Sequence, residues 1–567
     1  MLRVIPRLVA ILLWSSVASA QLPQAPQSPP GLPSPQAPPR DASAKAGTAV
    51  IRGHVFDAGS GRPLRKAQVR AISPELRENR VATTDGNGAY EIKDLAAGRY
   101  QLNASKGSFV QLQYGQLRPF EPGKPLEVAN GQTVEKVDFS LPRGGIITGR
   151  ILDEFGEPTS DVQVLAMRYQ YIQGRRQLSP AGRPAMTNDI GEYRVFALPP
   201  GQYFLSATLR SLNPLDAASD DRSGYAPTYY PSGASIAEAQ RLTIGVGQAL
   251  SDINLALSPT RLARITGSAV DSDGKPLAGA TVIMIQIAGA AAMAVAGGQV
   301  RPDGSFSVAN VSPGDYTVRA ISNTGGLLSQ AGELVQAMVT VAGEDIADLK
   351  LTGVKSSTAT GRVILPQGPT SGPSVASLQL LALSSTPDLL NVPSTARVSD
   401  DSTFEMKVQP GNHLIRMNPT AGFAGARIKA VRLNGTDVTD TGIDFRPNED
   451  VSGLEVELTT QLSDLSGSVS NARSEGVKDY TVVIFSRDRQ RWGFASRFLG
   501  GGRPDQDGKY RVRNLPAGEY YAIALDYVEQ GAGTDPEFLE RVRDRATEFS
   551  MNDGETKTLD LKLVTGM

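Results

Sequence analysis

Apolar and polar residues alternate with period two along most of the chain, in short runs separated by Gly, Pro, Asp and Asn. That is the pattern of half-buried strands joined by tight turns. One such pattern recurs. It reads IRGHVFDAGSGRPLRKAQVRA at 51–71, ITGRILDEFGEPTSDVQVLA at 147–166 and ITGSAVDSDGKPLAGATVIM at 265–284, with weaker forms at 359–380 and 465–485. A second pattern follows each: TTDGNGAYEIKDLAAGRYQLNA at 83–104, TNDIGEYRVFALPPGQYFLSA at 187–207 and VRPDGSFSVANVSPGDYTVRA at 300–320, then 398–417 and 503–524. Each half predicts two strands about a turn. Gly98, Gly201, Gly314, Gly411 and Gly518 mark the second turn, where a positive φ would be cheap for Gly alone. Tyr100, Tyr203, Tyr316 and Tyr520 follow and are expected to point inward; the fourth copy has His413-Leu414 instead.

A last alternating strand closes each copy, at 134–141, 250–257, 346–351, 451–458 and 557–563. Six or seven such strands in ~100 residues predict an antiparallel β-sandwich. The fold expected is therefore all-β: five tandem sandwiches at 47–142, 143–259, 260–353, 354–460 (degenerate) and 461–567. Copies joined so closely should form a semi-rigid rod. Helix is scarce. The pattern predicts one at 536–547, with Asp535 as cap and Phe538, Leu539, Val542 and Ala546 on one face, and a second short one at 235–242.

The first twenty residues predict a secretory signal: Arg3 and Arg7, an apolar core at 8–17, then Ala18-Ser19-Ala20, with cleavage after Ala20. Residues 21–46, rich in Pro, Gln and Ala, favour polyproline II and read as a disordered spacer. No later run is long and apolar enough to predict a membrane-spanning helix. The expected location is the periplasm, cell surface or exterior.

The pattern G-x-V, D-x-x-G-x-P-L-x-x-A-x-V and D-x-x-G-x-Y…L-P-x-G-x-Y resembles the carboxypeptidase regulatory-like domain, a transthyretin-like (prealbumin-like) sandwich. The resemblance runs over nearly all of 46–567 and is weakest in the fourth copy, which lacks the first Asp and the Tyr. Its motif residues are turn formers and core positions, so it implies a fold and carries no catalytic residues.

Composition narrows the chemistry. Lys plus Arg (57) balances Asp plus Glu (58), so no global field draws nucleic acid. Cysteine is absent, which removes disulfides, thiolate nucleophiles and zinc–thiolate sites. His54 and His413 are the two histidines, in different copies, and His54-Val55-Phe56-Asp57 does not match a metallocarboxypeptidase His-x-x-Glu. The turns at 85–88, 271–274 and 505–508 are Asp-rich but lack the spacing of a calcium loop, and Asp-Gly hairpin chemistry accounts for them. No catalytic residue, cofactor or metal is expected.

Aromatic residues give the one binding signal, because sugar rings stack on flat aromatic faces. Trp492 and Phe494 lie among several Arg at 487–498; Tyr169 and Tyr171 occupy a comparable place in the second copy, and Tyr229 and Tyr230 precede its closing strand. The same residues would serve to cap the sandwich ends or to pack between domains. The function expected is a non-catalytic exported binding or scaffold protein, with a polysaccharide or an envelope protein as partner. The alternative is a carbohydrate-binding protein using these loops of the second and fifth copies.

Overall fold

A computed structural model describes residues 47–566 apart from 74–75, 77–78, 210–221, 289–290, 322–332, 367–377, 386–392, 419–425 and 494. The expected signal segment and spacer lie outside the described residues. Strands dominate the rest. The one α-helix among the described residues, Pro536–Arg543, starts where Asp535 accepts the Phe538 N–H and buries Phe538, Leu539 and Val542. Residues 235–242, expected to be helical, form isolated i→i+3 turns before the strand Leu242–Ile244.

The first stretch shows the plan. The strand Ala49–Asp57 buries alternate residues and pairs antiparallel with Ala89–Leu95. On its other side Thr133–Val134 and Phe139–Leu141 run parallel to it. The facing sheet is built from Arg80–Thr83, Gln68–Ile72, Gly98–Ser105 and Leu112–Gln113. Ile51, Val55, Val69, Tyr100 and Leu102 fill the space between the two sheets. Equivalent buried sets recur at 147–257, 263–351, 359–458 and 465–561, each drawn from a single stretch. In every stretch the closing strand lies parallel to the opening one, so the sandwiches are mixed and not purely antiparallel. A strand that crosses between sheets before pairing can arrive in either direction.

A backbone carbonyl fixes where the closing strand sits. A Cβ on Gly53, Gly149, Gly267, Gly361 or Gly467 would overlap the carbonyl of Val137, Ile253, Leu349, Leu454 or Leu559 respectively. Opposite each glycine in the register stands an aromatic residue: Tyr90, Tyr193, Phe306, Phe404 or Tyr510. The three tyrosine hydroxyls donate to that same carbonyl. The glycine thus opens a slot, and the tyrosine satisfies the polar group that fills it.

The inward tyrosines make a second repeated bond. Tyr100, Tyr203, Tyr316 and Tyr520 are buried, and each hydroxyl donates to the carbonyl four residues earlier at 2.5–2.7 Å. The left-handed backbone expected at the following turn sits elsewhere. Only Gly314 and Gly411 of the five glycines have positive φ; Asp94, Ala197 and Asn310, four residues before their glycines, take the strained position at a β-bulge, and Asn514 takes it just beyond an unshifted strand pairing. The Asp-rich turns are held by their own first residue. Asp85 accepts from the N–H groups of Asn87 and Ala89, and Asp271 and Asp505 repeat the arrangement.

In the fourth stretch His413 takes the tyrosine place, edge-on to Phe445 and with Nδ1 3.0 Å from the Gly411 carbonyl. Burial pushes its pKa below the ordinary 6.5.

Two outcomes follow from these contacts. Gly149→Ala should destabilise its stretch by about 3 kcal/mol, because the carbonyl it strikes is backbone, seen as an earlier calorimetric transition. The imidazolium is disfavoured in the folded state, so the His413 contribution is complete above about pH 6.5 and lost as pH falls through the lower folded value. His413→Tyr should remove that acid sensitivity, and thermal melts between pH 7.5 and 4.5 would test it.

Candidate functional site

Contacts between distant stretches converge on residues 109–124, which carry YGQLRPFEPGK between the strands Gly98–Ser105 and Leu126–Val128. At the centre Arg503 meets Glu121 at 2.6 Å, each side chain only 2 % exposed. Arg503 also pairs with Asp479, and its guanidinium lies within 3.5 Å of the Pro122 and Gly115 carbonyls. Glu121 in turn accepts the Leu117 N–H at 2.8 Å. Lys124 reaches the Lys478 carbonyl (2.6 Å) and Asp479 (3.2 Å). A buried pair of this kind contributes little net stability, but loss of either member strands a charge in the interior.

The second stretch joins the same junction. Arg168 lies 3.3 Å above the Phe120 ring and pairs with Glu529. The Phe120 carbonyl accepts the Gln530 N–H at 2.7 Å, and the Tyr527 hydroxyl donates to Pro119 at 3.0 Å. The semi-rigid rod expected from the short connections gives way to a closed arrangement here: residues 478–530 pack on the first two stretches. The physical reason is this polar insertion, whose exposed backbone and buried Glu121 need partners that residues 478–530 supply.

Between these contacts lies a cavity of about 780 Å³. Val110, Leu112, Pro142, Pro199 and Pro200 make its wall apolar, and Leu117 (70 % exposed) and Val246 (67 % exposed) stand at it as unburied apolar side chains. Its cations are Arg118, Lys124 and Lys478. Arg118 pairs with Asp526 and Lys124 with Asp479; Lys478 makes no ion pair among the described residues. Its anions are Asp138 and Asp505. Asp138 accepts the His54 N–H, and Asp505 is the anchor of its own turn. The volume suits a small ligand or a few residues of peptide.

The aromatic residues singled out by sequence are placed differently. Trp492 is 2 % exposed, donates Nε1–H to the Ser486 carbonyl at 2.7 Å and packs edge-on against Phe485. It offers no face to a sugar ring, and its expected role as an exposed platform is corrected. The helix Pro536–Arg543 covers it, through Phe538 and Leu539. Tyr171 packs on the same cluster, so the structure brings these two together at a contact between the second and fifth stretches. Tyr169 lies edge-on to Phe204, with Arg176 over its ring. Tyr229 is half-buried on a strand beside Ser206, where burial pushes its phenol up. Tyr230 packs on the second core. Phe494 lies outside the described residues.

Residues that sequence reading did not single out are Glu121, Arg503, Phe120, Arg168 and Lys124. Their pairings span hundreds of residues and follow no periodicity; the only local sign is a long stretch at 111–124 without strand alternation.

Residues 50–142 match the family of the carboxypeptidase regulatory-like domain. No curated protein matches the chain. Among solved structures, the Bacillus anthracis TIE protein is similar at 13 % identity over 72 % of this chain and 69 % of that one, with a TM-score of 0.15. A streptococcal ancillary pilin is similar at 13 % identity over 54 % of this chain and 98 % of that one (TM-score 0.19), and the minor pilin of Streptococcus agalactiae at 14 % identity over 40 % and 99 % (TM-score 0.18). Likenesses of this size leave the function to be argued from the chain's own residues.

Arg503→Met should cost about 3–5 kcal/mol by leaving Glu121 buried and unpaired. Adding Glu121→Gln should restore part of that loss. Thermal unfolding of the two variants measures both effects, and equal losses would refute the pairing.

Proposed function

We propose that the chain is an exported, non-catalytic scaffold of five tandem carboxypeptidase regulatory-like sandwiches, in which the first, second and fifth frame a binding cavity for a protein partner. The observation that carries this reading is the assembly of one cavity from three separate stretches around a buried Arg503–Glu121 pair. The same glycine–carbonyl slot and tyrosine bond in successive stretches support one repeated domain. The acidic groups of the recurring motifs are engaged in turns and ion pairs, which supports a structural role for them. An apolar wall with Leu117 and Val246 exposed at it favours a peptide with a bulky apolar side chain. The aromatic side chains give a polysaccharide partner little support, because Trp492 is covered and the Phe120 face is occupied by Arg168. Among the described residues no helix is long and apolar enough to cross a membrane.

Because the chain has no cysteine, a spin-label pair at Arg99→Cys and Lys509→Cys reports closure without background. A single distance of about one domain diameter, ~40 Å or less, is expected; an extended row would place the labels on the order of 100 Å apart. Mature protein recovered from outside the cytoplasm should begin at Gln21. Turnover of peptide or glycoside substrates by the purified chain would overturn the non-catalytic reading.

A further inference from the structure

Two carboxylates line the cavity, and the fold needs the charge of neither. Asp138 accepts the backbone N–H of His54 at 2.8 Å, and Asp505 accepts those of Asp507 and Lys509, each at 2.9 Å. In the second stretch amides do the same work. Asn254 stands in the place of Asp138 and accepts the Arg150 N–H at 2.8 Å; Asn188 stands in the place of Asp505 and accepts the Ile190 and Glu192 N–H groups. What the backbone requires at each position is an acceptor oxygen, which Asn supplies without a negative charge.

That charge is also left uncompensated. Among the described residues Asp505 has no cationic partner, and Asp138 has only the His54 ring, whose Nδ1 is 3.5 Å away. Of the three cations in the lining, Arg118 is paired with Asp526 and Lys124 with Asp479, which leaves Lys478. Two free carboxylates against one free ammonium make the unpaired groups of the cavity net negative. Neighbouring phenols register this field: burial and then the Asp138 charge push Tyr90 and Tyr114 up, and burial and then the Asp505 charge push Tyr480 up. The hydroxyl of Tyr114, itself in the lining, has no hydrogen-bond partner among the described residues, so a ligand N–H finds acceptors in it and in both carboxylates.

We propose that the cavity selects a cationic apolar peptide: a Lys or Arg of the partner pairs with Asp138 or Asp505 while the residues flanking it pack on Val110, Leu112, Leu117, Pro142 and Val246. This rests on the reading of the cavity as a peptide site and names the charge of what enters it. An acidic peptide of the same shape meets two carboxylates across the same wall and is rejected by repulsion.

Fluorescence anisotropy of the purified chain with three end-blocked peptides tests this. The peptides are Leu-Leu-X-Leu-Leu with Lys, Gln or Glu at X, each carrying an uncharged fluorophore, at about pH 8, above the ordinary histidine range. The Lys peptide should bind about three- to tenfold more tightly than the Gln peptide, the span of one or two partly exposed ion pairs, and the Glu peptide more weakly than either. Added salt should narrow the differences. The double variant Asp138→Asn, Asp505→Asn keeps both backbone acceptors, as Asn254 and Asn188 do, and should lose the preference for Lys. Equal affinities for the three peptides, a preference for Glu, or a Lys preference that survives in the double variant would overturn the proposal and leave the cavity reading standing. Failure of all three to bind, or binding unchanged by Leu117→Ser with Val246→Ser, would remove the cavity reading and this proposal with it.

Discussion

In each stretch a single carbonyl, that of Val137, Ile253, Leu349, Leu454 or Leu559, presses against a glycine of the opening strand. Much else depends on that approach. It lets the closing strand lie close beside the opening one, to which it runs parallel. A side chain at the glycine would hold the strands apart and expose the carbonyl without a partner. Where the opposite residue is tyrosine, its hydroxyl completes the arrangement; where it is Phe306 or Phe404, the ring packs on the glycine. The two stretches with phenylalanine also keep an unbroken closing strand, Ile346–Val354 and Val451–Thr459. The other three break it, as at Thr133–Val134 and Phe139–Leu141.

Much of this was legible in sequence because it is local and repeated. The G-x-V glycine, the paired tyrosines and the Asx turns each act within one stretch, and recurrence separates them from chance. Two features escaped for physical reasons. The parallel direction of the closing strand is invisible to a period-two pattern, which reads the same both ways. The left-handed residue moved from Gly201 to Ala197 because the bulge, and not the turn, demands it, and alanine carries no sign of that demand.

The junction was less legible still. Aromatic composition pointed to Trp492, but whether a tryptophan is a platform or a core residue depends on what covers it, and the helix that does so arrives some forty residues later in the chain. Glu121 and Arg503 are ordinary surface residues by sequence and become buried through partners that lie hundreds of residues apart in the chain. The expectation of a rod failed at the same place, since it rested on the short connections between copies and not on residues 111–124.

The cavity also has a history within the life of each molecule. Its walls come from segments almost four hundred residues apart, and a polypeptide made amino end first displays residues 109–124 long before residue 503 has been added. Until then Glu121 and the Phe120 carbonyl lack their partners and the site has no floor. The cavity is therefore a product of the late segment, and its shape exists only once residues 478–530 have folded against the first two stretches.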